Sequence, residues 1–292
     1  MRVTESMRVS AIERSYATTS ASLYGAEARA ASGAKVSAPS DDPAAFARIV
    51  AHDGSLAKLE ARTKALSRAS SDAEMAEGAL ASAGDVMAAA RELATQMADG
   101  AYNASDRAAA AKQVTEMRQA LVGLANAQGT AGYLFGGTAS GAPPFDASGV
   151  FHGNDQAQWV EVSDGVTLRA NAEGAKAFTA AGGRDVLLDL DNLATALQAN
   201  DVASVGASIS SLQAGHEQIV GARAAAGATL VRLASASDVA SRAHLLVTRA
   251  RAVDHDADAF EAYSALASAQ SAFSRSIEVS KRLFSTLSAE GA

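Results

Sequence analysis

Asp254, His255, Asp256 and Asp258 form the densest group of potential metal ligands in the chain. Carboxylates and an imidazole bind a divalent cation only when their side chains converge. Two of these spacings point around a helix in different directions, and an acidic cluster at a helix start complements the positive end of the dipole. Asp41 and Asp42, in the run SAPSDDPAA, pose a similar choice between a calcium or acid pair and a capped turn. Ser40, Asp41 and Asp42 stand just before Pro43, a residue type suited to the first helical position, so their oxygens can accept from the first free amides. The five histidines, at 52, 152, 216, 244 and 255, have no paired spacing. Glycines at 132, 136, 137 and 141 lack the pattern of a phosphate loop that follows a strand and opens a helix, and read as turn residues. Cysteine is absent, which excludes disulfides, thiolate metal sites and a cysteine nucleophile. The reading is of a non-enzyme with no catalytic, metal or cofactor-binding residues and no cofactor.

The chain around these residues is patterned for helices. A first stretch runs from about Thr4 to Ala31, and Pro39 and Pro43 mark a break after it. An alanine-rich pattern then continues to about Met97, far longer than a usual globular helix. Ser105 or Asn103 can cap a further helix carrying Val114, Met117, Leu121 and Leu124, ending near Gly129. Between Gly132 and about Gly183 helical periodicity gives way to glycine, proline and the short runs YLFGG, GVFHG, QWVEVSDG and VTLRAN, a small β-rich insert. In QWVEV, alternation sends Trp159 and Glu161 to one face and Val160 and Val162 to the other. Helices resume with DVLLDLDNLATALQAND, a long stretch from about Val202 to Val253, and a terminal helix after the acidic break. The fold class is mainly α with a small β-rich insert: an elongated antiparallel helical hairpin or bundle, with the insert at its bend.

Both ends carry narrow seams. Val9, Ile12, Tyr16, Thr19 and Leu23 are spaced three and four apart, as are Tyr263, Leu266, Gln270, Phe273, Ile277, Ser280, Phe284 and Leu287. Such stripes are either the core-facing sides of a compact bundle or surfaces that gain order by partner contact. Their narrowness, their polar positions and their place at the chain ends point to an assembling protein, with Val9, Ile12, Tyr16, Leu23, Tyr263, Leu266, Phe273, Ile277, Phe284 and Leu287 as the assembly interface. The first 40 residues carry net charge +2 and residues 255–292 net −2, a mild complementarity that sets register more than strength.

Of the 292 residues 48% are hydrophobic and only 5% aromatic, so interiors must form by close helix approach. A net charge of −7, without a run of basic residues, argues against nucleic acid as a partner. Nor do the terminal helices have the basic polar face and broad apolar face of a membrane-surface helix. The start MRVTESMRVSAIERSY is interrupted by Glu5, Arg8, Glu13 and Arg14, which leaves no apolar core for a cleaved signal peptide.

Several segments together resemble one family. SGAKVSAPSDDPAAFARIV resembles the stretch after the N-terminal helix of flagellins and flagellar hook-associated proteins, and its PSDDP version is similar to the hook-filament junction members. GYLFGGTASGAPPF is similar to the family's entry into its β domain, GNDQAQWVEVSDGVTLRANAEGAKAF to the strand pairs there, and DHDADAFEAYSALASAQSAFSRSIEVSKRLFSTL to the terminal helix. The final FSTLSAEGA departs from the usual leucine-rich end.

The resemblance implies a structural, motility-related, secreted component of the bacterial flagellum that adapts hook to filament by helical self-assembly; flagellin itself is the alternative. Residues 1–40 and 255–292 would form a coiled-coil-like inner tube domain, 41–131 and 184–254 a rod, and 132–183 an outer β-rich domain. Implied partners are flagellin, the first hook-filament junction protein, copies of itself, a flagellar export chaperone and the type III export apparatus, with an extracellular location reached without a cleaved signal peptide. A helical signalling rod would share the long alanine-rich helices but not the β insert.

Overall fold

The computed structural model describes residues 5–290. Its helices are α1 (Glu5–Ser32), α2 (Pro43–Met97), α3 (Ala104–Ala125), α4 (Gly174–Phe178), α5 (Val186–Gln198), α6 (Val202–His255) and α7 (Ala259–Glu290). Two antiparallel ladders pair β1 (Gln128–Gly129) with β2 (Gly132–Tyr133), and β3 (Trp159–Ser163) with β4 (Val166–Arg169). The fold is thus mainly α with a small β insert. The chain divides into two compact units, Met1–Lys58 with His244–Ala292, and Leu59–Ala243.

In the unit 59–243, α2 buries Leu66, Ala69, Ala73, Ala76, Leu80, Ala83, Met87, Ala90, Ala94 and Met97, alternately three and four apart. From α6 come Val205, Leu212, Ile219, Ala226, Leu233 and Ala240, seven apart throughout. A strict seven-residue period keeps a seam facing its partner only if the helices under-wind and supercoil to the left. The pair runs antiparallel: His216 Nδ1 lies 3.0 Å from the Gly84 carbonyl oxygen, and Arg223 pairs with Glu77. Gly215 leaves room for both α2 and α5, since a Cβ there would lie 2.9 Å from Met87 Cε and 3.0 Å from Val186 Cγ1, and these side chains would have to shift.

Helices α3 and α5 complete the unit by packing on each other and on this seam. Asn103 caps α3 by accepting from the Ser105 and Asp106 amides, while Asp106 accepts from the Asn103 amide, a reciprocal box. Buried Arg107 then ties two turns together. Its guanidinium donates to the Met97 and Asp99 carbonyls and to Asn200 Oδ1, so the α2–α3 and α5–α6 turns meet at one end of the bundle.

That meeting corrects the expected position of the insert, because the chain reverses at residues 98–103 and 199–201. The β3–β4 hairpin instead lies alongside the helices, with Val160 in a small cluster containing Leu66, Ala69, Ala73, Leu233 and Ala240. At about 1.5 Å per residue, Leu66 is some 45 Å along α2 from the turn. Trp159 and Glu161 are exposed while Val160 is buried, as the alternation requires. YLFGG and GVFHG are mostly irregular; Phe135 of the first joins Phe145 and Phe178 in the core, all three fully buried and meeting edge to face at 5.2 and 5.7 Å, while Phe151 of the second is half-buried beside Phe145. Asn126 holds Phe145 in place by exchanging two hydrogen bonds with its backbone.

Leu80→Ala should destabilise this unit by about 2–5 kcal/mol. Val231→Ala, at a position 67% exposed on α6, should change stability by less than ~0.5 kcal/mol. Urea unfolding with an unchanged m-value is the measurement.

Candidate assembly surface

The unit made of Met1–Lys58 and His244–Ala292 is built on α1 and α7. Along their contact the buried apolar side chains, among the described residues, are alanines: Ala26 on α1 and Ala269 on α7. Larger apolar groups are less covered. Val9, Ile12, Leu23, Leu266, Phe273 and Ile277 are half-buried, and Tyr16 and Phe273 touch at 5.4 Å between ring centroids. Tyr24, Phe260, Tyr263 and Val279 stay exposed, Phe260 at 84%.

On α7 the contact passes through Ala262, Leu266, Ala269, Phe273, Ser276 and Ser280, which leaves Tyr263 and Gln270 on the exposed flank. Small side chains let the backbones close up, so the contact follows alanine and serine at positions where hydrophobicity alone favours the neighbouring residue. The side chains of Phe284 and Leu287 lie outside the described residues.

The two interhelix breaks of this unit are stitched together. Lys35 donates its amide to the His255 carbonyl at 2.7 Å, Ala257 donates to the Gly33 carbonyl at 2.8 Å, and Lys35 Nζ reaches the Val253 carbonyl at 3.0 Å. Gly33 sits at φ 68°, where a side chain would be strained, which lets α1 end there. Val36 is buried with Ala45 and Ile49 just beyond.

Each acidic residue singled out from the sequence has a local partner here. Asp42 Oδ1 accepts from the Ala44 and Ala45 amides at the start of α2, and Asp41 Oδ2 accepts from the Ser37 and Ala38 amides and the Ser37 hydroxyl. Pro43 is the first residue of α2, while Pro39 and Ser40 are exposed in the turn before it. Asp258 accepts from the Glu261 amide at the start of α7, and His255 Nδ1 pairs with Asp256 at 2.8 Å. Asp254 binds the Arg48 guanidinium through both oxygens, at 2.7 to 3.2 Å. Arg251 pairs with Asp53. These ion pairs join residues about two hundred positions apart, and nothing in the linear pattern marks them.

The Arg48 hydrogen bonds, with smaller contributions from the charges of His52 and Lys35, hold the Asp254 carboxyl below its ordinary value of 3.8. Asp41 is held down in the same direction by the amides it accepts from.

The family model for the bacterial flagellin N-terminal helical region matches residues 3–140, just under half of the chain. This region takes in α1, α2, α3 and the β1–β2 ladder and ends inside the insert. The chain is 29% identical over 148 residues to flagellar hook-associated protein 3 of Salmonella typhimurium. That match spans 50% of this chain and 47% of the relative, so the chain spans about half the length of the curated relative it matches.

The fold resembles that of a Vibrio parahaemolyticus protein provisionally described as flagellar hook-associated, with a TM-score of 0.67 at 22% identity over 73% of this chain and 99% of that one. It also resembles the flagellar junction protein FlgL of Legionella pneumophila, with a TM-score of 0.57 at 15% identity over 72% and 100%.

A carboxyl lowered by folding contributes stability that is present above its unfolded pKa and lost as pH falls through the folded value. Stability of the unit containing Asp254 should therefore decline as pH falls below about 3.8, and Asp254→Asn should make that decline shallower. Far-UV circular dichroism against pH at fixed salt measures this.

Proposed function

We propose that this chain is a structural subunit of the bacterial flagellum, a hook-filament junction protein that polymerises through its terminal helices and catalyses no reaction. One observation carries the reading: among the described residues, the fully buried apolar side chains between α1 and α7 are alanines, while Tyr263 and Phe260 are exposed and the larger side chains of the contact are only half-buried. Apolar side chains arranged this way gain further burial only from a neighbour. The similarity to the flagellin N-terminal region and to hook-associated protein 3 supports the flagellum as the assembly that supplies that neighbour.

In this reading residues 1–40 and 255–292 form the innermost layer of a tube, residues 41–131 and 184–254 the rod, and 132–183 the outer part. Its interface comprises Val9, Ile12, Tyr16, Leu23, Tyr263, Leu266, Phe273, Ile277, Phe284 and Leu287. Neighbours are copies of this chain, the first junction protein on the hook side and flagellin on the filament side. The chain leaves the cell through the flagellar type III apparatus with a dedicated chaperone, and no signal peptide is cleaved. Head-to-tail contacts generate the open helical arrangement, and burial on docking drives it.

A fluorescently labelled copy should mark one narrow band at the base of each filament. Phe273→Asp combined with Ile277→Asp should abolish that band while the unit 59–243 keeps its far-UV spectrum and urea midpoint. Normal filaments and a normal band in the double variant would overturn the proposal.

A further inference from the structure

Between α6 and the segment that follows β4 lies a groove of about 560 Å³, wholly within the unit 59–243. Its floor is the buried α2 seam at Ala73, Ala76 and Leu80. On α6 the wall is the row Gln218, Ala222, Ala225, Thr229 and Arg232, alternately four and three apart and therefore on one flank of the helix. Gln218 fixes which flank this is, because its side-chain amide donates to the Ala177, Thr179 and Arg184 carbonyls. Leu168 forms the opposite wall. It pairs with Val160 across the hairpin, so both side chains turn to the helix side and pack on the cluster of Leu66 and Leu233. Ala225 is exposed, and a Cβ added at Gly221 would meet nothing within 4 Å, so the middle of the α6 row leaves the groove open.

The rim is basic. Among the described residues Glu173 is the one carboxylate of the lining, and both Arg169 and Lys176 pair with it. Arg232 donates its Nε to the Ala228 carbonyl, and its two terminal nitrogens have no partner among the described residues. Three cations against one carboxylate make this rim positive on a chain of net charge −7.

A matching shape lies in the other unit. Phe260, the second residue of α7, is 84% exposed, more than any other large apolar side chain among the described residues. Asp258 and Glu261 flank it, both exposed and without a cation partner among the described residues. Asp258 accepts from the Glu261 amide, which sets the ring at the start of a helix. The nearby cations are engaged locally, His255 with Asp256 and Lys35 with the Val253 carbonyl.

We propose that Phe260 of one copy docks in this groove of a second copy, with Asp258 and Glu261 set against Lys176 and Arg232. The ring supplies the bulk that an alanine wall lacks. Acids around the ring meet cations around the groove, and this complementarity selects the partner and its orientation. Ring and groove belong to different units of the chain, so the contact is head-to-tail and generates a ring or an open helix in place of a symmetric pair. It rests on the polymer reading above and names one subunit contact of that polymer, outside the α1–α7 seam.

The chain has no cysteine, so engineered thiols report this contact without background. Full-length Ala259→Cys and Ala225→Cys copies, mixed at about 1 mM under mild oxidation, should form a mixed disulfide identified by mass spectrometry of the linked peptides. Ala259→Cys mixed with Val231→Cys, on another flank of α6, should form at least about tenfold less. Adding Phe260→Asp to the first copy, or Arg232→Glu to the second, should lower the yield about as much with far-UV spectra unchanged. Glu261→Arg in the first copy should restore it against Arg232→Glu. No mixed disulfide, an equal yield with Val231→Cys, or no rescue by the charge exchange would overturn the proposal. Loss of the filament-base band in the Phe273→Asp and Ile277→Asp variant without this disulfide would reject the Phe260 contact and keep the polymer reading.

Discussion

Alanine at the helix seams lets backbones approach closely but buries little apolar area for each residue ordered, and the rest of the structure answers to that constraint. In the unit 59–243 the α2–α6 seam compensates by length, with a heptad run from Leu66 to Met97 interleaving leucine and methionine among the alanines. Bulk that the long helices lack comes from the insert, in the buried rings of Phe135, Phe145 and Phe178. The insert is thus part of the core as well as an appendage, since segments on both sides of the β3–β4 hairpin anchor it and the hairpin lies on the flank. Among the described residues of α1 and α7 no such supplement is present. The two buried alanines there define a contact whose larger neighbours remain half-covered, which is the physical basis for assigning those helices to assembly.

Joining the helix breaks at residues 33–36 and 255–257 through two backbone hydrogen bonds gives the terminal pair a defined starting geometry. Paired breaks preserve the register of α1 and α7 even when their own contact contributes little. Arg48–Asp254 and Arg251–Asp53 extend the same tie by side chains. Exposed ion pairs of this kind are individually weak, and their value lies in fixing register.

Much of the architecture was legible in the sequence because its signals are local. Pro43 with the aspartates before it, Asn103 three residues before Asp106, and the alternation in QWVEV each act within one turn or one strand. The α2 seam was less visible, since alanine at most heptad positions hides the period from a search for large apolar residues. In α7 the same property moved the contact from Gln270 to Ala269. The placement of the insert was not legible at all, because it depends on Arg107 uniting two turns and on Val160 meeting Leu66 and Leu233, pairings far apart in the chain. The groove beside Ala225 belongs to the same class: its walls come from α2, β4 with the segment after it, and α6.

The central claim is that the terminal helices are held mainly by what they meet on assembly. Native-state hydrogen exchange on the free chain tests it directly. Amides of α1 and α7 should exchange orders of magnitude faster than those of α2 between Leu66 and Met97, and become protected once the chain is incorporated. Protection in the free chain equal to that of the α2 seam would contradict the account.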